Sequence, residues 1–198
     1  MRGWAHGPRE TRMTDAKWKT VLQQLEIVNG ENGLHTVDAA SLKAAESSLR
    51  IKLPDSYRSF ARVFGIGSFG RGDFNVASPG CIGKAKTYSL EYLTNSQRGF
   101  AAQLGDLGLD PNQIARGIFF ATDMSGSNHF FDPADVTDPK KHEYAVVSLY
   151  RNYEIERTFD SFWDFITVGC LGERRNYLLG VENEEGESPP QTFQPVTE

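Results

Sequence analysis

A chain of 198 residues, 39% hydrophobic and carrying thirteen phenylalanines, can bury one sizeable core but not several. The net charge is −5, with an acidic excess over residues 121–165 that speaks against that part gripping nucleic-acid phosphates, and no stretch approaches the ~20 apolar residues of a membrane span. Cys81 and Cys170 lack CxxC spacing, and His6, His35, His129 and His142 lack HxxxH spacing. Neither a disulfide framework nor a metal site is implied, and no cofactor is expected.

The first dozen residues mix arginine, glycine and proline without an apolar run, which excludes a secretory or membrane-spanning start. Residues 1–13 are expected to be a disordered leader, and the chain reads as cytoplasmic. A helix is predicted from Thr14 or Asp15, with Trp18, Val21, Leu22, Leu25 and Val28 at helical spacing. Asn29 to Gly33 is turn chemistry and ends it. Asp38 is a natural N-cap for a second helix, with Val37 and Leu42 as a hydrophobic staple and Leu42, Ala45 and Leu49 as its inner stripe. Pro54 restarts the chain into a third helix that places Tyr57, Phe60, Ala61 and Phe64 on one face, and Gly65 closes it.

The period then changes. Residues 66–80 read as glycine-rich loop and short strands, Tyr88 to Leu104 as a helix weakened by Asn95 and Gly99, and Gly105 to Asn112 as a loop. Ile118 to Ala121 and His129 to Phe131 look like the arms of a hairpin around an Asp123–Asn128 turn. Tyr144 to Tyr150 is a further strand, Glu154 to Phe159 a short one, and a last helix begins near Asp160 or Ser161. Strands bracketed by helices imply a single α+β domain over 14–181, a mostly antiparallel sheet with helices packed around it. The Glu/Pro/Gln-rich tail, 182–198, is expected to be disordered.

Three motifs tempt and fail on context. Gly65-Ile66-Gly67-Ser68-Phe69-Gly70 is a literal GxGxxG, but a helical stripe precedes it where dinucleotide binding needs a strand. Asp123-Met124-Ser125-Gly126-Ser127 opens like a calcium loop, yet the sixth position is Asn128 and the twelfth is Ala134 rather than a bidentate glutamate. A tight turn with Gly126 at positive φ accounts for it better. Asp132, Asp135 and Asp138 recur every third residue, broken by Pro133 and Pro139, with no nucleophile–base pair nearby. They read as a solvated acidic loop.

Within 121–165 nine acids (Asp123, Asp132, Asp135, Asp138, Glu143, Glu154, Glu156, Asp160, Asp164) face four bases (Lys140, Lys141, Arg151, Arg157). This excess suits either a face for a basic partner, with Asp123, Asp132, Asp135 and Asp138 as candidate contacts, or an ordinary solvated surface. No catalytic constellation is visible, so binding rather than chemistry is expected.

The order Glu46…Leu53-Pro54-x-x-Tyr57-x-x-Phe60…Gly65, then Phe119-Phe120-Ala121-x-Asp123-x-Ser125-Gly126…Phe131-Asp132, then Phe159-Asp160-Ser161-Phe162-Trp163-Asp164-Phe165 resembles the SUKH superfamily, which includes the fungal Smi/Knr-type cell-wall regulators. The resemblance spans about residues 18–171 and is poor over the 72–117 insert. It implies an α+β fold whose motif residues are mainly structural, with Glu46 capping backbone donors before Leu53-Pro54. It also implies a protein that binds a protein partner; motifs, charge and hydropathy add the expectation of no enzymatic activity, no nucleic acid and no membrane. The partner so implied is a polymorphic bacterial toxin, in this family often a nuclease, that the chain neutralises as an immunity protein, or else the target of a Smi/Knr-type regulatory or scaffold module.

Overall fold

A computed structural model describes residues 8–30, 33–81, 83–181 and 188–196. Helix α1 (Pro8–Gln23) begins earlier than expected. Proline at a first helical position has no donor to lose, and residues 9–13 contain no breaker. Residues 8–13 of the expected leader therefore belong to this helix, while residues 1–7 lie outside the described residues. The helix also stops early, because Glu26–Ile27 turns into strand β1 and bonds to the far C-terminal segment.

Helix α2 (Ala39–Leu49) starts where Asp38 accepts the Ser41 amide at 2.7 Å. It buries Leu42, Ala45 and Leu49. Helix α3 (Asp55–Val63) buries Tyr57, Phe60 and Ala61, and Phe64 lies just beyond it with no exposed surface. Gly65 then takes φ +70, and a Cβ there would sit 1.8 Å from the His35 carbonyl oxygen. Only glycine fits both the backbone conformation and the close approach. The chain leaves this turn as strand β2 (Gly67–Phe69), not as a helix, and returns as β3 (Phe74–Val76).

The 72–117 insert supplies α4 (Leu90–Gly99), α5 (Ala101–Gly105) and α6 (Pro111–Arg116). Helix α6 falls partly in the expected loop and is started by Asp110, which accepts the Asn112 amide. Strands β4 (Ile118–Asp123), β5 (Asn128–Asp138), β6 (Glu143–Leu149) and β7 (Ile155–Phe159) come after it. Helix α7 (Phe162–Asp164), capped by Ser161, runs into a π-helical turn, and α8 (Arg175–Leu179) comes next.

Among the described residues the sheet has eight strands in the order β1-β8-β2-β3-β4-β5-β6-β7, antiparallel except for the β1–β8 pair. Strand β8 (Thr192–Pro195) corrects the expectation of a disordered tail. It lies between β1 and β2, and Phe193 packs edge-on to Phe64 and against Phe69. The Glu-rich part of that tail, residues 182–187, lies outside the described residues.

Alternation along β4 and β5 divides their phenylalanines between two cores. Phe120 and Phe131 join Trp18, Tyr57, Phe60 and Phe162 beneath α1, α3 and α7. Phe119 and Phe130 join Ala101, Leu104 and Ile114 beneath α5 and α6. The insert thus covers the second face of the sheet over β4–β6, where these phenylalanines have no exposed surface.

Candidate functional site

Most of the motif residues serve the core. Leu53, Tyr57, Phe60 and Phe162 have no exposed surface. The Tyr57 hydroxyl donates to the Ala77 carbonyl at 2.8 Å. Pro54 precedes α3 as its N-cap. Glu46 accepts the Leu53 amide at 3.1 Å and pairs with Lys52 at 3.2 Å, so it ties the α2–α3 junction.

The four aspartates part company. Asp132, expected in a solvated loop, lies in strand β5 and is only 4% exposed. Arg116 grips it with two bonds of 2.7 and 2.8 Å, and Gln113 and the Ala134 amide complete its shell. Burial works against its charge, but these donors outweigh burial and hold the carboxyl below its usual range. The strand absorbs Pro133 through a register shift between Asp132 and Val136, where a missing amide costs no ladder bond. Asp123 is also enclosed, between the Ser127 amide and His129. There too burial opposes ionisation, and the His129 and Ser127 bonds still lower the pKa. Neither carboxylate is presented to a partner. Gly126, at φ +87, makes the tight β4–β5 turn that replaces a calcium loop. Asp135 and Asp138 do reach the surface, paired with Arg157 and Lys141.

Sequence spacing missed one constellation. Asp123 faces His129 Nε2 at 3.3 Å, and His129 Nδ1 faces the Ser148 hydroxyl at 2.9 Å. These groups come from β4, β5 and β6, so only the sheet register brings them together. The order Ser–His–Asp is that of a nucleophile, a base and its orienting acid. Ser148 and His129 have no exposed surface, however, and the ring is packed against Phe165 and Phe74. The Ser148 hydroxyl also meets Thr158 at 3.3 Å. A nucleophile sealed this way meets no substrate, so the line serves as a satisfied polar strut.

The open feature nearest the predicted acidic face is a cleft of about 340 Å³ between α1, α3, the β5–β6 turn and the start of α7. Asp55, Asp138, Glu143 and Asp160 supply carboxyls; Lys17, Lys141 and Trp163 share the walls. Glu143 accepts from the Ser56 amide and hydroxyl at 2.9 and 2.7 Å. Burial raises its pKa despite those bonds, and the charges of Asp55 and Asp138 push the same way. Trp163 lies 4.5 Å from Trp18 and carries the Lys17 ammonium 5.7 Å above its ring. The indole face therefore already receives a cation. Arg58 and Arg157 also reach these carboxyls, 3.2 Å from Asp55 and 2.7 Å from Asp160, and Lys141 pairs with Asp138, so the cleft is rich in carboxyls that already have resident cations.

Among the described residues no helix is long and apolar enough to cross a membrane, and no cluster of three or more His, Cys, Asp or Glu is arranged to hold a metal. The sequence profile of the SMI1 / KNR4 family (SUKH-1) matches residues 36–167, 132 of the 198 residues. The chain belongs to this family. A search of curated proteins returned no match.

Proposed function

We propose that this member of the SMI1 / KNR4 family is a non-catalytic cytoplasmic binding module of the immunity type, which neutralises a toxin domain by occluding a basic part of its surface. The observation that carries this reading is the Trp163 cleft, where carboxyls at Asp55, Asp138 and Asp160 stand beside an indole face. A partner's lysine or arginine would replace the resident cations, Lys17 over the indole and Arg58, Lys141 and Arg157 on the aspartates, and take over their charge-assisted hydrogen bonds and cation–π contact. Family membership supports a protein-binding role.

The test is co-purification of the full chain from its native cell, and then titration of the recovered protein at low and high ionic strength. A toxin domain that the chain inactivates, bound more weakly in high salt and by the Asp138→Lys/Asp160→Lys variant, supports the proposal. Recovery of a non-toxic scaffold instead assigns the chain to the regulatory branch, and salt-independent binding unaffected by the variant removes the cleft from the interface.

A further inference from the structure

The far end of β6 carries a different kind of surface. Helices α4 and α5 and the β6–β7 turn enclose an open groove of about 440 Å³. Leu104, Leu149 and Tyr150 contribute to its walls, and Phe100, Leu107 and Tyr153 stand around it 48%, 55% and 51% exposed. Large apolar side chains gathered at this exposure cost solubility and add little to the fold, and aromatic groups are the usual anchors of protein interfaces.

Tyr153 sharpens the point. It holds φ 66, the left-handed region, in a turn closed by its own amide on the Tyr150 carbonyl and by the Glu154 amide on Asn152. Glycine or asparagine adopts this conformation more readily than a bulky side chain. Tyr153 projects half-exposed from this turn, in a backbone conformation it shares with Arg50, Arg71 and His142.

Among the described residues Arg151 is the one charged side chain on the groove's walls. It is exposed, and it takes no part in the ion pairs of the neighbouring β7–α8 region. Gln97, Gln103 and Asn128 make the rest of the wall polar, so the groove offers exposed apolar side chains beside amides and, among the described residues, one guanidinium outside any ion pair, a setting complementary to an apolar anchor with a carboxylate beside it.

We propose that this groove is a second docking site, which takes a partner-protein segment bearing an aromatic or aliphatic anchor next to an aspartate or glutamate. It is separate from the Trp163 cleft. Glu143 lines the cleft and Leu149 the groove, at opposite ends of the seven-residue β6, a span of about 20 Å.

A random dodecapeptide phage library panned on the full chain tests this, with counter-selection on a Leu107→Asp/Arg151→Glu variant whose circular dichroism and melting match wild type. Enriched peptides should pair a Phe, Trp, Leu or Ile with a nearby acid. The synthetic peptide's affinity should fall about tenfold or more with Leu107→Asp or with Arg151→Glu separately. Asp138→Lys in the other site should leave it within about twofold, so that failure of the cleft and failure of the groove are told apart. The proposal is overturned by any of four outcomes: no enrichment; peptides rich in Lys and Arg; co-sedimentation with phosphatidylserine vesicles that Leu107→Asp abolishes; or a concentration-dependent dimer that Leu107→Asp dissolves. The last would make a second copy the occupant.

Discussion

Replacing Phe193 with alanine tests whether the C-terminal strand belongs to the body of the protein. The ring has no exposed surface and lies 5.0 Å from Phe64 and 5.1 Å from Phe69, between centroids. Those two rings also pack on Phe60, so the cavity would open at the edge of the main core. Truncating a buried phenylalanine costs ~3–5 kcal/mol, because transfer energy and residual cavity add. In a chain of this size each kcal/mol moves the melting temperature by about 2–4 °C, so the expected fall is on the order of 10 °C. Calorimetry and urea unfolding monitored by tryptophan fluorescence measure it. Gln194→Ala, at the neighbouring and partly exposed position of the same strand, should change stability by no more than about 0.5 kcal/mol. A loss below about 1 kcal/mol for Phe193→Ala would refute the docking of β8, and equal losses for the two variants would refute the role assigned to the ring.

Asp132→Lys should destabilise by ~3–5 kcal/mol in chemical denaturation, since it sets a second cation against the partly buried Arg116, whereas Asp135→Lys should cost less than about 1 kcal/mol at an exposed pair. Stability across about pH 3 to 8 should show two opposed carboxyl contributions. Asp123, whose folded pKa is lowered, stabilises above its unfolded value and loses that contribution as pH falls through the folded value; Asp123→Asn should therefore flatten the acid limb. Glu143, whose folded pKa is raised, stabilises most below its unfolded value and loses the contribution as pH rises through the folded value. Glu143→Gln should then be neutral or stabilising near pH 7, and a clear loss there would show that the ionised form is the one Ser56 supports.

Local signals carried much of this fold. The Asp38 cap, the Leu42/Ala45/Leu49 stripe and the Tyr57/Phe60 face depend on residues within one or two helical turns, and they stand where periodicity places them. Adjacent phenylalanines at 119–120 and 130–131 mark strands covered on both faces, a buried-sheet pattern. Strand β8 could not be read this way. One phenylalanine among Thr, Gln and Pro has little strand propensity, and its order comes from β1 and β2, more than a hundred residues away in sequence. Helix α6 has six residues, too few to hold by propensity. The acidic spacing misled for a related reason. Asp132 and Asp135 look alike in sequence, and only the fold sets Arg116 against one and an exposed Arg157 against the other.

The same architecture limits where a partner can bind. Helices cover one face of the sheet, and on the other face α4–α6 cover the part formed by β4–β6, so much of the sheet surface is not free to receive a protein directly. Strand β7 is a sheet edge and could in principle accept an added strand. Arg174 already donates to the Thr158 carbonyl at 2.8 Å, and its guanidinium stacks over Phe159. Tyr177 closes on Glu156 at 2.6 Å. These contacts blunt the edge as charged side chains blunt edges generally. At the other edge β1 offers only two residues. With both edges blunted and much of the sheet covered, the strand ends and their connecting turns are prominent among the remaining surfaces, and both proposed sites lie there: a carboxyl-rich cleft where β6 begins and a groove with exposed aromatic side chains where it ends.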